Sequence, residues 1–158
     1  MHVNARAIIE RKTPSGTEIV IQTRNKPHEG EKSLELPGGR VEEFESLLDA
    51  LHREVLEETG LTLIHINGLE SKIYAHTQHT DVECLQPFAV YQTTRGPVDS
   101  MGVYFRCHAE GSLLQTGDDT QNPHWVAVSL IAKWMDQDPA RFGWIDRAGL
   151  LFYLNYKK

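Results

Sequence analysis

The first 24 residues carry two β-branched runs, VNARAIIE and EIVIQTR, joined by RKTPSGT, whose Pro and Gly punctuate a turn. They predict a hairpin. The polar stretch NKPHEGEKS reads as a loop, and LELPGGRVE as a short extended piece broken at Pro37-Gly38-Gly39. From Ser46 to Thr59 the period changes. Leu48, Leu51 and Val55 recur at three and four positions, which predicts a helix with one buried stripe, and Gly60 is placed to stop it. Downstream, LTLIHINGLESKIYAH, DVECLQPFAVYQTT and GVYFRCHAEG read as three strand regions. LLQTGDDTQNPHW reads as a loop leading to a short strand, WVAVS. LIAKWMD and WIDRAGLLFYLNY read as helices separated by the breaker QDPARFG. Strands with a central helix and a C-terminal helix predict an α/β fold, a mixed β-sheet packed between helices.

A length of 158 residues suits a single domain, 1–158, able to bury a core without metal or disulfide staples. No apolar run is long enough to span a bilayer, and the start, MHVNARAIIERK, lacks the pattern of a signal peptide. These features predict a soluble, cytoplasmic protein without a membrane partner. Cys84 and Cys107 have no metal-ligand spacing and read as buried small side chains in a reducing compartment. A net charge of −6 gives no support to a stable nucleic-acid complex, which asks for a basic stripe. Seven of the 22 acids nevertheless lie between Glu42 and Glu58, so the acidity is partly local.

That local acidity is sharpest in REVLEETGL, Arg53 to Leu61, where Glu54, Glu57 and Glu58 fall on one turn of the expected helix. Like charges three and four positions apart destabilise a helix by roughly 0.2–0.5 kcal/mol per pair, and a cation is the natural compensation. The leucine stripe takes one face and the glutamates another, giving a dry side and a charged side. Mg²⁺ takes a few carboxylates, waters and substrate phosphate oxygens, so such a helix suits phosphoryl chemistry. Gly38 and Gly39 let the backbone approach a ligand closely, with a carbonyl available to a metal. Arg53 lies eight positions after Glu45, two helical turns, and can hold the glycine loop against the helix by an ion pair. A solvated helix face is the bland alternative for clustered charge.

The segment GRVEEFESLLDALHREVLEETGL, Gly39 to Leu61, resembles a complete Nudix box: nine constrained positions in 23 are met by Gly39, Glu45, Arg53, Glu54, Val55, Glu57, Glu58, Gly60 and Leu61. The preceding ELPGG is also usual for that family. The resemblance implies a Nudix-type α/β/α sandwich and hydrolysis, with Mg²⁺ or Mn²⁺, of a nucleoside diphosphate linked to another group. It implies that Glu57 and Glu58 are metal ligands, Glu54 a ligand or general base, and Gly38 or Gly39 a carbonyl donor. Arg53 and Glu45 are then orienters, and Gly39 and Gly60 structural. Family members often add an acid from a loop across the helix, and Asp118 and Asp119 stand at the corresponding place, with Glu110 a weaker candidate. Positions outside the box single out no branch, which leaves a nucleoside triphosphate or a nucleotide sugar as the expected substrate.

Arg24 and Arg40, with Lys26, are candidate phosphate grips, Arg24 first because it ends a strand aimed at the box. His28, His76, His79 and His124 have no zinc spacing and read as scattered histidines. Tyr74, Phe88, Tyr91 and Trp125 offer base-stacking faces, although strand aromatics more often pack a core. A nucleotide sensor without turnover is the second reading, yet such domains usually lose the box glutamates. An isomerase of isoprenoid diphosphates shares the fold but needs a protonating cysteine, and neither Cys84 nor Cys107 has that setting. The apolar LLFYLNY is suited to pack on its own domain or on a second subunit of a homodimer, and the sequence does not separate the two.

Overall fold

A computed structural model describes residues 1–24, 32–117 and 120–158. The strands are β1 (His2–Thr13), β2 (Gly16–Arg24), β3 (Ser33–Glu35), β4 (Gly38–Arg40), β5 (Thr62–Ile66), β6 (Ile73–His76), β7 (Asp81–Cys84), β8 (Ala89–Gln92), β9 (Ser100–Glu110), β10 (Thr116–Gly117) and β11 (Thr120–Ala127). The helices are α1 (Leu47–Thr59), α2 (Val128–Gln137) and α3 (Trp144–Tyr156). The path of the main sheet is β10-β11-β2-β1-β9-β5. It is mixed because β1 runs parallel to β9 and antiparallel to β2.

The topology builds a wedge. β1 and β2 pair from Glu10↔Ile19 to Thr13↔Gly16 and then part, and the segment LELPGGR fills the gap, β3 along β2 and β4 along β1. Pro37 sits at the change of partner, where its missing N–H costs no ladder bond and its carbonyl accepts from Ala7 N–H at 2.8 Å. The glycine loop is therefore pinned inside the sheet, beside α1.

Alternation along the strands divides the core. Ala5, Ala7, Ile9, Val20, Phe105 and Cys107 face the Leu48, Leu51 and Val55 stripe of α1. Ile8, Ile19, Ile21, Tyr104 and Val126 face Ile131 and Met135 of α2 and Leu150 and Tyr153 of α3. The result is the expected sandwich, helix on both faces of a mixed sheet. On the α2–α3 side, buried Glu10 takes Arg106 Nε at 2.8 Å, Tyr153 Oη at 2.7 Å and Lys157 Nζ at 3.3 Å, clasping α3 to β1 and β9.

Several sequence readings need correction. DVECLQPFAVYQTT is two strands: β7 closes a hairpin with β6, Pro87 interrupts, and β8 joins β9. LTLIHINGLESKIYAH is broken at Gly68, whose φ of +95° ends the run after β5. WVAVS stops as a strand at Ala127, because Val128 already opens α2. Cys107 is buried, but Cys84 is exposed because the β6–β7 hairpin lies outside the main sheet. Leu150 and Tyr153 of LLFYLNY pack on this chain's own core, while Leu151, Phe152 and Tyr156 are exposed. Among the described residues no helix is long and apolar enough to cross a membrane.

Phe44 is fully exposed at φ +60°, a left-handed conformation that costs a non-glycine residue of this size about 1 kcal/mol or more. Phe44→Asn gives up no packing and suits that conformation. It is expected to raise stability by about 1 kcal/mol, or about 2–4 °C in thermal melting, and an unchanged or lower midpoint would count against the strain.

Candidate active site

Helix α1 begins and ends on local signals. The Ser46 hydroxyl accepts from Asp49 N–H at 3.0 Å, and Gly60, at φ +78°, donates to the Leu56 carbonyl. Glu45, one residue before the cap, is thereby fixed two turns from Arg53. The guanidinium grips it at both oxygens, Nε to Oε1 at 2.8 Å and Nη2 to Oε2 at 2.9 Å. Arg53 also donates to the Arg40 carbonyl at 3.1 Å and to Glu54 Oε1 at 2.8 Å, and lies 3.6 Å from Glu57. One side chain thus ties the end of β4, the cap and two box glutamates together.

Hydrogen bonds from Arg53 hold the Glu45 carboxyl down at about 2, against its ordinary 4.5. A depressed folded value means that the clamp stabilises fully above pH 4.5 and loses its contribution as pH falls toward 2. The Glu45 carboxyl carbon should therefore titrate by NMR with a midpoint near 2, and a midpoint near 4.5 would show the clamp open in solution.

The three glutamates do not share one environment, which departs from the expected dry and charged faces. Glu57 is half-exposed, Glu54 is partly covered, and Glu58 is buried at 7% exposure, continuing the Leu51–Val55 stripe toward the sheet. Glu58 Oε2 accepts from Gln22 Nε2 at 2.7 Å and from Gly38 N–H at 2.9 Å. Burial pushes the Glu58 carboxyl up to about 8, although these two donors pull it down. Glu54 is raised as well, by burial, with Arg53 opposing.

The two glycines have separate reasons to be glycine. Gly38, at φ +139°, would carry its Cβ 2.3 Å from the Ala5 carbonyl oxygen. A Cβ on Gly39 would lie 2.6 Å from the Glu54 carboxyl carbon, so the carboxylate rests directly on the loop backbone. Gly39→Ala must push Glu54 aside, and a side-chain end can move where backbone cannot. It is expected to lower activity by about 10-fold or more at a nearly unchanged melting temperature, the scale of disturbing a partner of a metal ligand. Activity within twofold of the parent would refute the contact.

Behind the glutamates lies a charged network that the sequence reading missed. Arg6, buried on β1, donates to the Leu36 carbonyl at 3.0 Å and to Asp146 Oδ1 of α3 at 3.2 Å, with Glu35 at 4.0 Å. Asp146 also accepts from Leu36 N–H, and Glu35 pairs with Arg24 at 3.3 Å. Arg24, read as a phosphate grip, therefore faces Glu35 at the end of β2, while Arg40 is exposed on β4. A cavity of about 510 Å³ lined by Thr23, Lys32, Ser33, Leu34, Asp138 and Arg141 lies at the same strand ends. Asp118, Asp119, Lys26 and His28 lie outside the described residues.

Of the remaining candidates, Trp125 packs on the core cluster that holds the α1 stripe. His76 pairs with Asp81 on the exposed hairpin, where Tyr74 stacks beside it. Phe88 packs against Phe152 and Tyr156, Tyr91 accepts from Asn4, and Trp125 lies under the Arg11 guanidinium.

The family model of the NUDIX domain matches residues 1–143. The chain belongs to the NUDIX family. Over 76 residues it is 38% identical to YtkD of Bacillus subtilis (strain 168), which carries the name of an 8-oxo-dGTP diphosphatase. That match covers 43% of this chain and 48% of YtkD, about half of that relative's length. Solved NUDIX structures align over nearly the whole chain. The NUDIX domain of Shewanella oneidensis NrtR, complexed with ADP-ribose, gives a TM-score of 0.67 at 12% identity, covering 99% of this chain and 88% of that one. A NUDIX hydrolase from Nitrosomonas europaea gives 0.64 at 18% identity, covering 99% and 90%. A MutT structure from work on Aliivibrio salmonicida and Vibrio cholerae gives 0.62 at 19% identity, covering 98% and 96%. At these identities the likeness is one of fold, and the fold of this NUDIX chain agrees with the expectation from its box.

The donor chemistry around Glu54, Glu57 and Glu58 fits a hard divalent cation: all three are carboxyl groups, and a cation would offset the burial that disfavours the charged forms of Glu54 and Glu58. Among the described residues no three acidic, histidine or cysteine groups already enclose a point, since Glu57 leans toward Arg53.

Proposed function

We propose that this NUDIX chain is a Mg²⁺- or Mn²⁺-dependent pyrophosphohydrolase that opens a phosphoanhydride bond of a nucleoside diphosphate derivative, a nucleoside triphosphate before a nucleotide sugar. The observation that carries the reading is the Arg53 clamp, which holds Glu54 against Gly39 of the glycine loop and has Glu57 3.6 Å away, while Glu58 accepts from Gly38 N–H. The name of YtkD, a diphosphatase of a nucleoside triphosphate, supports the order of substrates.

Glu57, Glu58, Glu54 and a carbonyl of Gly38 or Gly39 would hold the cation. When bound, the cation supplies charge neutralisation on the phosphates and a lowered pKa for water. Glu54 accepts the proton of the attacking water, a role suited to a carboxylate whose affinity for protons burial has raised. Arg53 keeps Glu54 aimed through the bond to its Oε1. Asp118 or Asp119 is the alternative base. Arg24 and Arg40 are the candidate grips for the substrate's phosphates.

The test is release of pyrophosphate and nucleoside monophosphate from nucleoside triphosphates, with dinucleoside polyphosphates and nucleotide sugars alongside, in Mg²⁺, Mn²⁺ and chelator. Metal-dependent turnover of triphosphates is expected. Tight nucleotide binding with no turnover in either metal would overturn the reading.

A further inference from the structure

Gln22 occupies a position where the strand pattern asks for an apolar side chain. It follows Ile19, Val20 and Ile21 on β2, faces α1 like Val20, and is fully buried opposite Glu35. Its amide nitrogen donates to Glu58 Oε2 at 2.7 Å and lies 3.3 Å from Glu35 Oε1. The amide is assigned with its nitrogen toward Glu58 and Glu35, the form that donates to both carboxyl groups. The carbonyl oxygen is buried and has no hydrogen-bond partner among the described residues.

That asymmetry bears on purpose. A buried amide with one end unpaired is a poor way to stabilise a core, and an apolar residue of the same shape would avoid the cost. What the amide does achieve is local. With Gly38 N–H at 2.9 Å, it gives Oε2 of Glu58 two donors, and among the described residues none donates to Oε1, the oxygen left to meet a ligand. It also helps occupy Glu35, whose other oxygen faces Arg24 at 3.3 Å and Arg6 at 4.0 Å, so that this acid stays committed to the arginines.

We propose that Gln22 is a positioning residue for Glu58: it selects the carboxylate oxygen presented to the divalent cation and holds Glu35 out of the ligand set. This rests on the metal reading given above, and the experiment separates the two. Gln22→Met keeps length and removes the donor. Mn²⁺ affinity is measured on metal-free protein without nucleotide, from the electron paramagnetic resonance signal of free Mn²⁺, together with thermal melting and turnover. Gln22→Met is expected to bind Mn²⁺ at least about tenfold more weakly, the scale of losing a partner of a metal ligand, while staying folded at the assay temperature. In a Glu58→Gln background the same substitution is expected to change Mn²⁺ affinity less than twofold, because the group it positions has already been altered.

Affinity within twofold of the parent in Gln22→Met, or an equal loss in both backgrounds, would overturn the proposal while the hydrolase reading stands on the parent's own turnover. Failure of both Gln22→Met and Gln22→Leu to fold would overturn it too, since the residue would then be structural. A parent that neither binds Mn²⁺ nor turns over any nucleotide would remove the metal reading and this one with it.

Discussion

Glu57→Gln is expected to lower hydrolysis by about 10²-fold or more while thermal melting stays within about 2 °C of the parent. The loss is set against the 10–100-fold cost of disturbing groups that only support a metal ligand, which a ligand itself should meet or exceed. The fold should not notice. Glu57 is half-exposed, its described ion pair is the 3.6 Å approach to Arg53, and Arg53 keeps its stronger bonds to Glu45, Glu54 and the Arg40 carbonyl. An amide of the same shape removes charge and little else. Turnover and Mn²⁺ binding measured together decide the matter, and an equally active variant would take Glu57 out of the metal site.

Arg6→Met should have the largest effect on stability, about 3–5 kcal/mol, the cost of removing one partner from a buried ionic group. Burial alone would disfavour the Arg6 charge, but Asp146, Glu35 and Glu58 more than offset it and hold the guanidinium protonated. Without it, Asp146 and Glu35 are left buried with less compensation, and the Leu36 carbonyl loses a donor. The deficit, read from denaturant unfolding, should shrink as pH falls through 6, because burial already raises the Asp146 carboxyl to about 6 and its protonation removes the charge that Arg6 compensates. A loss under about 1 kcal/mol at neutral pH would mean that the network is solvated and contributes as a surface pair does.

The box helix was legible because its determinants are local: Ser46, the Leu48–Leu51–Val55 stripe, Gly60, and Glu45 two turns before Arg53. The burial of Glu58 was legible in principle. It stands seven positions after Leu51 and three after Val55, so it extends the apolar stripe, but reading it by charge placed it with Glu54 and Glu57. The network behind the site was harder. Arg6, Gln22, Glu35 and Asp146 lie on four elements, and only the tertiary fold brings them together. The available signal was polarity at core positions, Arg6 between Ala5 and Ala7 and Gln22 after three aliphatic residues. Of the strand boundaries that failed, Gly68 and Pro87 are local breakers that a reading by apolar runs passed over, and Val128 opens α2 inside a run that composition would have continued.

The parallel pairing of β1 with β9 also has a consequence for how the molecule is made. β1 leaves the ribosome well before the strand that completes it, which begins at Ser100, and Asp146 comes later still. Contacts so distant in sequence carry a large loop-closure cost and slow the search for the native state. A nascent chain that has emerged through Gly60 already carries every glutamate of the box, but Phe105 and Cys107, which cover the helix stripe, are still unmade. The acidic helix therefore waits on the sheet during synthesis, and its apolar stripe is fully covered only once the far half of the chain has docked.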